Sequence, residues 1–164
     1  MVELLRGKIA SGKSFYAKSK AESGGVCVLN TDEIIASLLG GAPCGGREKR
    51  LELEMRILRY FLQLAVSNHE AGIDTVIDHG FWTVNECEKA SEFLKKAGVP
   101  FKFVCFDAPF EERLKRVDLR QGNGFDAERL KWFDSFFEEK ELCRFAYCRR
   151  SREKMQDTVW ETQK

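Results

Sequence analysis

Short apolar runs alternate with amphipathic stretches along this chain, and their spacing predicts strand and helix in turn. VELLR, at positions 2–6, is a buried strand that stops at Gly7. Residues 12–22 are helix-compatible and end in the breaker cluster Ser23-Gly24-Gly25. VCVLN at 26–30 is a second strand, and Thr31-Asp32 after it can cap a short helix over 33–39. GGAPCGG (40–46) then breaks the pattern. The longest helix is expected over 47–71, with Leu51, Met55, Leu58, Leu62 and Ala65 forming one apolar, core-facing stripe. DTVIDHG (74–80) is a third strand, a helix follows over 84–97, and FKFVCFDA (101–108) is a fourth strand. Pro109 suits the first turn of a helix reaching about 121. After Gly122-Asn123-Gly124 an aromatic-rich helix is expected over 126–145, and periodicity then fades.

Strand-helix alternation of this kind implies right-handed crossovers and a parallel sheet with helices on both faces. The expected fold class is therefore α/β, a three-layer α/β/α arrangement of about four to five strands in a single domain, 1–164. A fifth strand has no clear carrier between 144 and 164, where VWETQ is the one weak candidate.

Composition narrows the class without naming a function. Apolar residues make up 43% and charged residues 32%, which argues against global disorder. The net charge of +1 predicts no long-range pull toward nucleic acid or membrane. RFAYCRRSREK (144–154) is a local exception, read either as a solvated basic tail or as a phosphate-meeting surface. The six cysteines contain no C-x-x-C pair, which points to a reducing, cytoplasmic setting, with Cys27 and Cys105 as small core residues. MVELL before Arg6 is too short for a signal peptide, and no run reaches membrane-spanning length.

The chemistry begins at GKIASGKS. Gly7, Lys8, Ile9, Ala10, Ser11, Gly12, Lys13 and Ser14 match G-x-x-x-x-G-K-[ST], the Walker A phosphate loop, between an expected strand and an expected helix. Glycines let successive N–H groups curl around a phosphate, and the following helix adds its positive end. Lys13 is placed to reach the β- and γ-phosphates of ATP, and the Ser14 hydroxyl to ligate Mg²⁺.

Other residues gather around that site. Asp32 follows the second strand, so it emerges on the same carboxyl edge, either as the base for a substrate hydroxyl or as helix-capping chemistry. Asp78 closes the apolar run 75–77 of the third strand, where a second acidic residue meets the magnesium water shell; a turn-forming role is the alternative. Phe81 and Trp82 either line an acceptor pocket or fill core. His79 alone is not a convincing base or ligand. Arg113, Arg116 and Arg120 share one face of a helix that precedes a glycine hinge, which suits either a lid over transferring phosphate, about 109–137, or an exposed charged face.

Together LLRGKIASGKSFYAK, VLNTDEI, TVIDHGFW and FDAPFEERLKRVDLRQ resemble the small P-loop kinases grouped with the ATP-binding AAA-like proteins, relatives of polynucleotide kinase, zeta toxin and chloramphenicol phosphotransferase. The resemblance covers about 2–137. It implies the P-loop NTPase fold, Asp32 as the residue that activates the acceptor hydroxyl, and Arg116 and Arg120 as paired lid arginines. Relatives acting on nucleic acid ends tend to carry an arginine soon after that aspartate, whereas Glu33-Ile34-Ile35-Ala36 has none, which counts against a polynucleotide acceptor.

The expected function is a Mg-ATP-dependent kinase acting on a small-molecule hydroxyl. A kinase for nucleic acid 5′-hydroxyl ends or a nucleotide sugar is the alternative within enzymes. A nucleotide-binding switch without transfer, left open by the missing fifth strand, is the alternative outside them.

Overall fold

The computed structural model describes residues 1–40, 46–119, 126–138 and 147–150. Its elements run β1 (Val2–Gly7), α1 (Lys13–Glu22), β2 (Val26–Asn30), α2 (Thr31–Leu39), α3 (Gly46–Glu70), β3 (Asp74–Gly80), α4 (Val84–Lys96), β4 (Phe101–Phe106), α5 (Phe110–Asp118), α6 (Ala127–Asp134) and β5 (Tyr147–Arg150). The strands form one five-stranded sheet of order β2-β3-β1-β4-β5. Every pairing is parallel, so every strand delivers its carboxyl end to the same edge.

Alternation along the strands produces the layers. Val2 and Leu4 of β1, Ile77 of β3 and Phe103 of β4 face one core with Ile57, Leu58, Phe61, Leu62 and Ala65 of α3 and Cys87, Ala90 and Leu94 of α4. Their neighbours Leu5, Val76 and Val104 face the other way, against Tyr16 and Ala17 of α1. The sheet is therefore buried on both faces, as parallel sheets are. Among the described residues no helix is long and apolar enough to cross a membrane.

Local chemistry sets the element ends. Asn30, not Thr31 or Asp32, caps α2: its side chain accepts from the Glu33 amide at 3.0 Å, and the helix starts two residues earlier than the expected position 33. Thr83 and Glu86 form a reciprocal capping box at α4. The helix expected over 126–145 is much shorter, since α6 ends at Asp134, and α5 ends at Asp118 rather than near 121. Cys105 is buried, whereas Cys27 is half-buried rather than a core residue.

The largest correction concerns the C-terminal stretch. Tyr147–Arg150 pairs with β4 over Phe103 to Phe106, so the fifth strand lies inside the basic run read as a solvated tail. The sequence YCRR lacks the β-branched apolar signature on which the other strands were recognised. VWETQ lies outside the described residues.

A buried carboxylate interrupts the apolar alternation of β1. Glu3 accepts from the Tyr16 hydroxyl at 2.7 Å and pairs with Lys102 at 3.0 Å and Lys20 at 3.3 Å. Burial pushes its carboxyl up, but the Tyr16 hydroxyl and the two lysines outweigh this and hold it below its ordinary 4.5. A carboxylate depressed in the folded state stabilises the fold above its unfolded pKa, and that contribution fades as pH falls through the folded one. Glu3→Gln is expected to cost about 1.5–3 kcal/mol at neutral pH, the range for hydrogen bonds to a charged group. The deficit should shrink once pH drops below 4.5. Urea unfolding of both proteins at neutral and acid pH checks this, and a pH-independent deficit would contradict it.

Candidate functional site

The carboxyl end of β1 turns straight into the glycine loop. Gly7 cannot carry a side chain there: a Cβ would sit 2.7 Å from the Phe106 carbonyl and 2.8 Å from Ser11 Oγ. Gly12, at φ +112°, is the N-cap residue of α1, a left-handed position that favours glycine. Ala10 takes the same region at φ +59° without being glycine, which marks a backbone held in place by its surroundings.

Those surroundings are cations. Lys13 Nζ donates to the Gly7 carbonyl at 2.7 Å and to the Lys8 carbonyl at 2.9 Å. Arg113 Nη1 reaches the Ile9 carbonyl at 3.4 Å, and Arg116 Nη1 donates to the Ala10 carbonyl at 3.0 Å. With the carbonyls of Gly7 through Ala10 turned toward positive side chains, the N–H groups of those trans peptides point the other way, that of Ser11 donating to the Lys8 carbonyl at 3.3 Å. The Ser11 hydroxyl is buried with no hydrogen-bond partner among the described residues. An orphaned buried donor within a backbone cradle at a helix N-terminus fits a bound phosphate group.

Asp78 stands beside this cradle, two residues before the end of β3. It is 6% exposed, accepts from Asn30 Nδ2 at 3.1 Å, and hydrogen-bonds with the Ser14 side chain. Burial raises its carboxyl above the ordinary value, against the pull of the Lys13 charge and the Ser14 hydrogen bond. Among the described residues no three His, Cys, Asp or Glu side chains converge as a metal cage. A hydroxyl and a carboxylate side by side instead suit Mg²⁺, which keeps most of its waters and binds through few protein groups together with phosphates.

Asp32 lies on the first turn of α2, on the same sheet edge, with its side chain 84% exposed. It does no capping, since Asn30 performs that task. Arg50 of α3 donates to it at 3.0 Å and also to Glu54 at 2.6 Å, a bridge the sequence pattern did not suggest. The spacing of four between Arg50 and Glu54 was the one available signal.

The aromatic corner divides its work. Gly80 at φ +97° lies against Trp82, whose Nε1 would be 2.8 Å from an added Cβ. Phe81 is fully buried and meets Phe103 edge-on at 5.4 Å, so it is core. Trp82 instead packs on Phe133 and Phe137 at 6.4 and 5.7 Å. His79 is held neutral by burial, with a pKa lowered to about 4, and its Nδ1 lies 2.9 Å from Thr31 Oγ1.

The arginines of α5 also differ from one another. Arg113 is 3% exposed and grips Asp134 of α6 through both Nη atoms while its Nε donates to the Ala108 carbonyl, which makes it a strut rather than part of a free charged face. Arg116 spans Glu112 at 2.6 Å and the loop carbonyl of Ala10. Arg120 and the Gly122-Asn123-Gly124 hinge lie outside the described residues. Sequence reasoning also missed Arg6, the buried residue of β1 just before the loop, its guanidinium donating to the Phe81 and Glu138 carbonyls and stacked over Phe137 at 4.5 Å.

A parallel sheet of this order, with a G-x-x-x-x-G-K-S loop at the end of its central strand, defines a P-loop fold. The chain belongs to the AAA domain family (AAA_33), whose model matches residues 2–157. Among solved structures, a chain of the Pnkp1/Rnl/Hen1 RNA repair complex is similar over 83% of this chain and 43% of that one, with 18% identity and a TM-score of 0.66. The present chain thus spans less than half of that protein's length. A sugar kinase from Janibacter sp. HTCC2649 matches over 91% of this chain and 83% of its own, with 20% identity and a TM-score of 0.63. A gluconokinase from Sinorhizobium meliloti 1021 matches over 90% and 81%, with 15% identity and a TM-score of 0.61. At these identities the likeness establishes the fold. No curated protein matches the chain.

The contacts at Gly7 generate a direct expectation. Gly7→Ala should destabilise the protein by about 1–3 kcal/mol, the cost of overpacking against atoms that cannot move aside, and weaken ATP binding in parallel. Denaturant unfolding and nucleotide titration test both, and a variant with parental stability would show that the loop yields more easily than the 2.7 Å approach implies.

Proposed function

We propose that the protein is a Mg-ATP-dependent kinase that transfers the γ-phosphoryl group to a hydroxyl of a small molecule. The observation that carries this reading is the hydrogen-bonded pair Ser14–Asp78 beside Lys13, with Asp32 on the same sheet edge. The loop Gly7, Lys8, Ile9, Ala10, Ser11, Gly12, Lys13 and Ser14 would bind the triphosphate, and Ser14 and Asp78 would hold Mg²⁺. When bound, the ion neutralises charge on the phosphates and helps align them.

In this reading Lys13 leaves its resting carbonyl contacts to meet the β- and γ-phosphates. Asp32 orients the acceptor hydroxyl and receives its proton late, because phosphoryl transfer through a loose transition state needs little base assistance early. Arg116 touches the loop, and from there its guanidinium can follow charge that develops on the transferring group. Arg120 is assigned the same task on the family resemblance. The segment from α5 through α6 would act as the lid that excludes water. The alternative of a non-catalytic switch rested on a missing fifth strand, and β5 supplies one.

Labelled γ-ATP with Mg²⁺ and a panel of antibiotics, nucleosides, sugars and 5′-hydroxyl oligonucleotides tests the proposal. Lys13→Ala should abolish nucleotide binding or turnover. Asp32→Asn should leave ATP affinity near the parental value and lower transfer by about 10²- to 10⁴-fold, the usual contribution of a positioned acid or base. Normal transfer by Asp32→Asn would remove Asp32 from the mechanism, and label reaching an oligonucleotide would reassign the acceptor.

A further inference from the structure

Arg50 joins carboxylates on two different helices. Its Nη2 donates to Asp32 Oδ1 on α2 at 3.0 Å, and its Nε donates to Glu54 Oε1, one turn further along α3, at 2.6 Å. The two ends of the bridge sit in different surroundings: the Asp32 side chain is 84% exposed, whereas that of Glu54 is 19% exposed. Burial pushes the Glu54 carboxyl up and the Arg50 contact opposes it, while the charges of Asp32 and Glu86 add to the upward push. Burial lowers the pKa of Arg50, but Glu54 and then Asp32 raise it by more.

Holding α2 against α3 does not account for this arrangement. Ile35 of α2 is already packed in one core with Ile57 and Leu58 of α3, and exposed ion pairs contribute little to stability. The asymmetry is what an anchor and a pointer require. A planar guanidinium fixed through Nε on a half-buried partner has its remaining edge aimed in one direction. An exposed carboxylate on a first helical turn otherwise samples several rotamers.

We propose that Arg50, anchored on Glu54, is a positioning residue that holds the Asp32 carboxylate in the orientation that receives the acceptor hydroxyl. This rests on the reading of Asp32 as the base. With Oδ1 taken by Arg50, Oδ2 accepts the hydroxyl proton as the acceptor oxygen bonds to the γ-phosphorus. The bond from that phosphorus to the β,γ-bridging oxygen breaks, and ADP leaves with the electron pair.

Phosphoryl release from labelled Mg-ATP, to water and to the same hydroxyl panel, is measured for the parent, R50Q, D32N and the D32N/R50Q double variant. ATP affinity and melting temperature are followed in parallel. R50Q is expected to lower kcat by about ten- to a hundredfold, the scale of a misplaced reacting group, with ATP affinity and melting temperature near parental values. Adding R50Q to D32N should cost nothing more, because Arg50 acts through Asp32. R50K keeps the charge for folding but loses the two-point fork, and should fall between the parent and R50Q.

Parental kcat in R50Q, an equal loss from R50Q in both backgrounds, or a large drop in its melting temperature would each overturn the positioning role while leaving Asp32 as base. Parental transfer by D32N, or no release by the parent to any acceptor including water, would instead overturn the kinase reading and the role of Arg50 with it.

Discussion

Parallel pairing of β1 on both of its edges, with β3 on one side and β4 on the other, is the constraint from which the site follows. Because all strands run the same way, Gly7, Asn30, Gly80 and Phe106 end at a common edge, and the segments that follow them must turn there. In the turn after β1, Gly7 sits against the last residue of β4. At φ +154° an added Cβ on Gly7 would point at the Phe106 carbonyl of β4 instead of out of the sheet face, so this corner takes no side chain.

Cationic side chains then give the loop its polarity. Lys13, Arg113 and Arg116 occupy carbonyls from Gly7 to Ala10, and the two arginines belong to α5, which follows β4. The shape of the loop therefore depends on an element about a hundred residues away in sequence. Arg113 extends the dependence to α6 through Asp134. A single buried guanidinium links the phosphate loop, α5 and α6, which places the region expected to form a lid in direct contact with the groups it would cover.

Much of this was legible in the sequence, and the exceptions have physical causes. β2 and β3 coincide with their expected spans, and β1 and β4 differ only at their carboxyl ends, because they are apolar runs between glycine or proline stops. β5 was missed because an edge strand with one partner needs no apolar alternation, and YCRR has none. Asp32 was assigned the right edge, but its freedom from capping became visible only when Asn30 was seen in that role. Arg50 could not be found by looking just after Asp32 in the sequence, since the residue that reaches Asp32 comes from the next helix. Arg113 and Arg116 look equivalent by helical spacing, and only burial distinguishes the strut from the more accessible side chain.

The place of β1 in the sheet also has a bearing on the order of folding. It is the first strand in sequence and the middle strand in space, and β2, which follows it, pairs with β3 instead. As the chain grows from its N-terminus, no hydrogen-bonded neighbour for β1 exists until Thr75 to Gly80 has been made, and its second edge stays open until Phe101 to Phe106 follows. Loop closure over such distances is slow, and an apolar strand awaiting its partners is open to mispairing. The phosphate loop, though it precedes β2 in sequence, thus cannot complete its contacts until β4 and α5 have been made.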